Sequence, residues 1–128
     1  MNFPEKSYDW VRAGIGIFGG YIGSEELKTT MTLRSQIINI RDIKKGERVG
    51  YDGRGEAKAK MKIATVYIGY ADGLPNHIKD GTLIKINNHD AKVFGKVNMD
   101  VTTVDVTNIP DCNAVSYTHL TLPTRLSV

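Results

Sequence analysis

Two Gly-Tyr pairs, Gly50-Tyr51 and Gly69-Tyr70, are the residues of this sequence best placed to do chemistry. A run of alternating residues typical of a β-strand separates them, and each tyrosine lies where ordered chain meets a turn. Glycine permits sharp turns and close backbone approach, so a phenol at such a junction is firmly held and can still reach a ligand. On spacing alone, however, an ordinary structural interpretation is favoured, in which each tyrosine buries its ring and its hydroxyl finds a partner.

A glycine-rich apolar stretch near the N-terminus is the second candidate site. It runs from Trp10 to Gly20, and its single charge is Arg12. Its glycines, among them Gly14, expose backbone N–H groups that can cradle a phosphate, although a buried loop would have the same composition. Arg12 is more informative, because an arginine beside an apolar run needs a partner if it is buried.

Composition favours one soluble globular domain. The chain has 128 residues, and a net charge of +3 is too small to indicate nucleic-acid binding. Lys58, Lys60 and Lys62 alternate along one strand face, which favours a solvated face over a phosphate-binding stripe. The single cysteine, Cys112, excludes an internal disulfide and a cysteine-rich metal site, so we expect no metal. Neither a membrane-spanning stretch nor a signal peptide is evident, which predicts a cytoplasmic protein without membrane contact.

Hydrophobic alternation predicts several short strands joined by glycine-rich turns. Turns are expected at 41–46, 52–55 and 87–90, and strands at 32–40, 47–51, 60–69 (the longest), 81–87, 91–94 with a continuation through 95–99 after a bulge, and 101–107. Short strands at such even intervals predict a mainly β fold, either a small barrel or a sandwich.

The C-terminal segment does not fit this pattern. Residues 115–124 (VSYTHLTLPT) resemble the conceptual translation of a sequencing adapter. We therefore predict that residues 114–128 are a non-native tail, with a native strand as the alternative.

Five short motifs occur in an order and spacing that resemble the pyridoxal-phosphate-dependent alanine racemases. The resemblance covers roughly residues 8–113. The motifs lie at Val11–Ile15, Gly46–Tyr51, Ile68–Gly73, Gly95–Asp100 and Val104–Thr107. Members of this family have a (β/α)₈ barrel followed by a C-terminal β-domain. The resemblance implies that residues 1–23 are the end of that barrel and that 24–113 are an incomplete C-terminal β-domain.

The resemblance also reverses the interpretation of the first tyrosine. Tyr51 matches the family's catalytic tyrosine, which moves the α-proton on one face of the bound amino acid while a lysine acts on the other. No lysine of this chain matches that second base, so the isolated chain is expected to be inactive. A free phenol has a pKa of about 10, so a tyrosine base must be held beside positive charge to work near neutral pH.

The cofactor implied by the resemblance is pyridoxal 5′-phosphate. Arg12 matches the arginine that donates to the pyridine nitrogen, and it should leave that nitrogen unprotonated because arginine keeps its proton. The backbone N–H groups of Gly14 and Ile15 match a phosphate contact. Members of the family are homodimers, in which Tyr51 and Met99 would serve the partner's active site and Arg12 its own.

The implied substrate is a small amino acid, with interconversion of L- and D-alanine for cell-wall supply as the expected reaction. The backbone N–H of Met99 matches the donor that binds the substrate carboxylate, and Tyr70 and Asp100 match positions at the mouth of the pocket. Two positions depart from the family pattern. Asn76 stands where arginine is frequent, which predicts a less basic entrance, and Asn98 stands where a small residue is frequent, which bears on substrate size and preference.

Two alternatives remain open at this point. A basic-amino-acid decarboxylase shares the cofactor and domain plan, but Cys112 lacks the motif that supplies its catalytic cysteine. A non-enzymatic β-barrel that binds nucleic acid would need aromatic residues between basic ones on one face, for which Tyr67 and Tyr70 beside the lysine strand give a thin basis.

Overall fold

The computed structural model describes residues 9–10, 14, 30, 32–114 and 117–120. The chain divides into two compact units, one of Met1–Thr32 with Pro123–Val128 and one of Leu33–Leu122. Most of the first unit, including nearly all of the predicted barrel remnant at 1–23, lies outside the described residues. That part of the domain division therefore stays a prediction.

The second unit is mainly β, as predicted. Its strands are β1 (Leu33–Ile43), β2 (Arg48–Val49), β3 (Gly55–Glu56), β4 (Met61–Val66), β5 (Leu83–Ile86), β6 (His89–Val93), β7 (Thr102–Asp105) and β8 (Tyr117–Leu120). Six of them form a closed antiparallel barrel in the order β1-β4-β7-β6-β5-β8, while β2 and β3 form a separate two-stranded ribbon. Of the two architectures that the sequence allowed, the barrel is the one formed. In the described part of the chain, no helix has the length and apolar character needed to cross a membrane.

Alternating side chains build the barrel core. In β5, Ile84 and Ile86 are buried and Leu83 is exposed, which is the period of two expected of a strand with one face inward. The main core is formed by buried aliphatic side chains from all around the barrel, including those of Ile37, Val66, Ile86, Val93, Val97 and Val104. Of the turn predicted at 87–90, the first half is confirmed, with Asn87 and Asn88 both in the left-handed region that two-residue hairpins require. The second half is wrong, because His89 and Asp90 belong to β6 and pair with β5.

Pairing between β1 and β4 overrides the local sequence signals at their ends. Strand β1 continues to Ile43, where a turn was predicted, because Ile43 pairs with Met61 and buries its side chain. Strand β4 covers only Met61–Val66, so the prediction that it is the longest strand is wrong, and β1 with 11 residues is the longest. Lys58, Lys60 and Lys62 are exposed, as the solvated-face interpretation predicts, but they do not share one strand face, because β4 begins at Met61 and includes only Lys62.

The predicted strand at 95–99 is also wrong, because this segment is a loop. The Phe94 N–H still donates to the Thr103 carbonyl at 2.9 Å, but Gly95 then turns the chain with φ of +84°. From Gly95 to Asp100, which we call the 95–100 loop, the backbone bonds to other turns and not to a neighbouring strand.

Strand β8 lies in the segment predicted to be non-native. Its backbone pairs with β1 at Leu33–Gln36 and with β5 at Lys85 and Ile86, which closes the barrel. This pairing shows where the four residues of β8 lie, and it does not test whether they are native. That residues 114–128 are a non-native tail stays a prediction.

Candidate functional site

The 95–100 loop holds both tyrosine-bearing turns by backbone hydrogen bonds. The Tyr51 N–H donates to the Lys96 carbonyl over a long 3.5 Å, and the Tyr70 N–H donates to the Asn98 carbonyl at 3.0 Å. The two Gly-Tyr pairs, 19 positions apart in the sequence, are thus attached to one short segment. The candidate site is therefore built around this loop.

Tyr51 opens a single 3₁₀ turn, Tyr51–Gly53, that lies outside the barrel. Gly50 precedes it with φ of +78°, and the Gly53 N–H returns to the Gly50 carbonyl at 3.2 Å. The Tyr51 side chain is 56% exposed. The interpretation favoured by spacing alone, a buried structural ring, is wrong for this residue, because the turn lifts the ring away from any strand face.

Three glycines let the backbone segments around Tyr51 cross at close range. A Cβ on Gly50 would lie 3.0 Å from the Lys96 nitrogen, and one on Gly55 would lie 3.1 Å from the Gly95 Cα. A Cβ on Gly95 would in turn lie 3.0 Å from the Val49 carbonyl oxygen. Glycine at these crossings allows the Tyr51 turn and the 95–100 loop to pack backbone against backbone.

Lys96 supplies a positive charge directly beside the Tyr51 ring. Its Nζ lies 5.4 Å from the ring centroid, within the range of a cation–π contact. The contact places a positive charge among the surroundings of the Tyr51 side chain. Sequence reasoning missed Lys96, since 45 residues separate it from Tyr51 and no local pattern links them.

The second tyrosine lies on a similar turn, Tyr70–Asp72. The Asp72 carboxylate accepts a hydrogen bond from the Gly69 N–H at 2.9 Å, which fixes the start of the turn. The Tyr70 side chain is 42% exposed, so its ring, like that of Tyr51, is accessible. Spacing alone was again misleading about burial, whereas the expectation of a turn after each glycine is confirmed.

Met99 presents a backbone donor that nothing in the described part of the chain uses. Its carbonyl accepts from the Ala71 N–H at 2.9 Å, but its own N–H has no hydrogen-bond partner among the described residues. The Met99 side chain is 55% exposed, and Asp100 beside it is also exposed. A free N–H next to two exposed tyrosine turns is a suitable donor for an anionic group.

Asn98 carries the one buried side-chain polar atom without a partner in the described residues. Its backbone is fully used, with the N–H donating to Val101 at 2.9 Å and the carbonyl accepting from Tyr70. Its side-chain Oδ1 is buried and accepts no hydrogen bond. A small side chain here would not place an amide oxygen at this buried position, so Asn98 differs physically from the residues frequent in the family.

Of the three positions predicted to hold the cofactor, only Gly14 is described. It is exposed with φ of +54°, and no atom of the described residues lies within 4 Å of where its Cβ would be. A left-handed glycine can bring its backbone close to a phosphate, so this conformation is compatible with the expected contact, which stays a prediction. Arg12 and Ile15 lie outside the described residues, so their roles stay predictions.

Cys112 is a core-packing residue. Its half-buried side chain packs against the main core cluster, and burial raises the pKa of the thiol, an effect that the nearby Lys62 ammonium partly offsets. A raised pKa keeps the thiol protonated and poorly nucleophilic at neutral pH. Across the described ranges no group of three or more His, Cys, Asp or Glu side chains is arranged to hold a metal ion.

Fold and site together define a small β-barrel domain that presents two exposed tyrosines around one loop, with a Met99 N–H that no described residue accepts. The family described as "Alanine racemase, C-terminal domain" matches residues 30–124. The chain therefore belongs to the alanine racemase C-terminal domain family.

Individual relatives agree with this assignment. The catabolic alanine racemase of Pseudomonas aeruginosa is 37% identical over 126 residues, which cover 94% of this chain and 35% of the relative. The alanine racemase structure from Acinetobacter baumannii superposes with a TM-score of 0.81 at 34% identity, covering 93% of this chain and 35% of that one. The structure from Bartonella henselae, described with covalently bound pyridoxal phosphate, gives 0.75 at 27% identity over 88% of this chain and 32% of that one. The chain thus spans about a third of the length of the relatives it matches.

Proposed function

We propose that this chain is the C-terminal part of a pyridoxal-phosphate-dependent alanine racemase in which Tyr51 is one of two bases. The observation that carries the proposal is the placement of Tyr51, whose accessible ring lies beside the Lys96 ammonium on a turn fixed by backbone contacts. Racemisation needs two groups on opposite faces of the substrate, because removing and returning the proton on one side restores the starting isomer. Tyr51 would act on one face only. The other face would be served by the family's catalytic lysine, which has no counterpart among the lysines of this chain.

The other proposed site residues of the barrel unit would bind the substrate and orient it. The Met99 N–H would hold the substrate carboxylate, a role supported by its lack of a partner among the described residues. Tyr70 and Asp100 would line the approach to the pocket, in keeping with their exposure.

The cofactor contacts belong to the first unit of the chain. Pyridoxal phosphate, when bound, supplies an electron-withdrawing ring that makes the substrate α-proton acidic. Gly14 and Ile15 would donate backbone N–H groups to its phosphate, and Arg12 would donate to its pyridine nitrogen. The exposed, left-handed Gly14 supports this assignment.

We further propose a cytoplasmic homodimer in which Tyr51 and Met99 complete the partner's active site. Both side chains are more than half exposed on their own domain, as residues that serve a second subunit must be before assembly. The product would be D-alanine for cell-wall synthesis. This chain alone should be inactive, because one of the two bases would come from outside it.

The test supplies the missing domain. The chain is fused behind the barrel domain of the P. aeruginosa relative, and racemisation of L-alanine is followed by circular dichroism. Tyr51→Phe should lower kcat by about 10²-fold or more, the usual contribution of a general base.

A tyrosine outside the proposed machinery serves as the control. Tyr67 is also exposed, and Tyr67→Phe should leave kcat within about twofold of the parent fusion. If Tyr51→Phe racemises as fast as the Tyr67→Phe control, Tyr51 is not a base and the proposal fails.

A further inference from the structure

A cleft of about 260 Å³ is lined in part by Lys96, the residue beside the Tyr51 ring, and half of its eight lining residues are basic. Arg54 and Lys96 border it on the Tyr51 side, and His77 and Lys79 border it on the segment that follows the Tyr70 turn. Its volume lies just below the usual range for drug-sized ligands, so it would accept a small molecule. The lining also includes Asn76, but no ligand has been assigned to this cleft above.

The charges of the cleft are unbalanced. Arg54, Lys79 and Lys96 face a single carboxylate, that of Asp80. The Asp80 Oδ1 accepts a hydrogen bond from the Gly95 N–H at 2.7 Å, so this carboxylate is committed to the 95–100 loop. The ion pairs among the described residues are Arg48–Glu56 and Lys85–Asp90, and neither includes a side chain of the cleft.

We infer that this cleft binds a small oxyanion, a carboxylate or a phosphate, and that the bound anion competes with the Tyr51 ring for Lys96. Arg54 offers a planar guanidinium that can bind an oxyanion through two hydrogen bonds, and Lys79 adds a mobile point charge. The Gly95 backbone, held by Asp80, forms a fixed wall between them.

Lys96 connects the anion site to the proposed base. Its ammonium lies 5.4 Å from the Tyr51 centroid, and the same side chain lines the cleft. Both partners attract the same charge, since a cation–π contact at an exposed site and an exposed ion pair are of similar strength. An anion in the cleft therefore draws Lys96 away from the ring. The consequence for catalysis, inhibition by small anions, rests on the proposed function, whereas the binding itself does not.

The test of binding uses the chain as it is. Potassium phosphate, sodium acetate and L-alanine are titrated separately at constant ionic strength, and the amide signals of Gly95 and Lys96 are followed by ¹⁵N NMR. The Lys96 Hε protons, shifted upfield by the Tyr51 ring current, should move downfield as the site fills. We expect saturation in the millimolar range with at least one oxyanion. Saturation with phosphate alone identifies a phosphate site, and saturation with acetate or alanine identifies a carboxylate site.

Matched variants show whether the observed anion binding occurs in this cleft. Arg54→Met should weaken binding by about fivefold, as should Lys79→Met, which keeps the test valid if the first variant misfolds. Arg41→Met removes the same charge from an exposed position on β1 and should change affinity less than twofold. Absence of saturation with all three anions, or equal weakening by Arg41→Met, overturns the inference.

One further arm separates this inference from the proposed function. The same titration is repeated on the fusion protein, where saturation should persist. If phosphate binds the chain but not the fusion, another protein surface covers the cleft and the small-anion inference fails in the assembled enzyme. Because binding is measured without racemisation, its failure and a failure of the Tyr51→Phe test are distinguishable.

Discussion

Replacing Gly69 by alanine tests whether the 95–100 loop positions the second tyrosine turn as described. A Cβ on Gly69 would lie 2.1 Å from the Met99 carbonyl oxygen and 2.4 Å from that of Asn98. Gly69 has φ of −143°, an extended conformation that any residue adopts. The cost of Gly69→Ala is therefore steric, and it falls on the backbone of the loop that carries the proposed carboxylate donor.

The magnitude follows from these contacts. To lengthen the Met99 contact from 2.1 to 3.0 Å, the loop must move by about 0.9 Å relative to Gly69. This movement strains the bonds from Tyr70 to Asn98 and from Ala71 to Met99, each worth about 1 kcal/mol. Overpacking itself costs about 1–3 kcal/mol. We expect a total loss of about 3–5 kcal/mol and, for a domain of this size, a fall in Tm of at least about 12 °C.

Thermal and urea unfolding of the chain measure the loss of stability in Gly69→Ala. The control is Gly81→Ala, which tests backbone conformation without a steric clash. Gly81 has φ of +87° and no atom within 4 Å of its Cβ position, so Gly81→Ala should cost only about 1–2 kcal/mol. In the fusion protein, Gly69→Ala should also raise KM more than it lowers kcat, because the Met99 N–H is displaced. If Gly69→Ala is as stable as Gly81→Ala, the loop does not pack against the Tyr70 turn as described.

Three further predictions concern single side chains in the barrel unit. Asn98→Ser removes the buried, unpaired Oδ1, and urea unfolding should show a gain of about 1 kcal/mol, whereas a loss would mean that this atom has a partner. Cys112 has a raised pKa in the folded chain, so its contribution to stability should be complete below the ordinary thiol value of about 8.5 and lost as pH rises through the folded value. Wild-type stability should therefore fall more than that of Cys112→Ser between neutral and alkaline pH, and equal falls would contradict this. Lys62→Met should slow thiol labelling of the folded chain, because the Lys62 charge lowers that pKa, and faster labelling would refute the contact.

Local patterns in the sequence predicted the strands better than they predicted the ends of those strands. The alternation in β5 and the Asn87-Asn88 turn are local signals, and both appear in the structure. Ile43 lies in a stretch that reads as a turn, but it belongs to β1 because Met61, 18 residues later, pairs with it. Such register between distant segments leaves no periodic trace in either segment alone.

The candidate site was predictable only where it depends on local sequence signals. Glycines beside Tyr51 and Tyr70 predicted turns, and both tyrosines open one. Exposure of the rings was not predictable from strand propensity, because both tyrosines lie on turns outside the barrel strands. The 95–100 loop and the Lys96 contact depend on glycine crossings between segments that are far apart in sequence.

The central claim, that Tyr51 moves the α-proton on one face of the substrate, is tested most directly by proton exchange measured separately for each isomer. The fusion protein and its Tyr51→Phe variant are incubated in D₂O with L-alanine or with D-alanine, and incorporation of deuterium at the α-carbon is followed at early times by NMR. The account predicts that Tyr51→Phe suppresses exchange from one isomer by about 10²-fold or more while exchange from the other isomer falls far less. Equal suppression for both isomers, or no suppression for either, would contradict the assignment of Tyr51 as a one-face base.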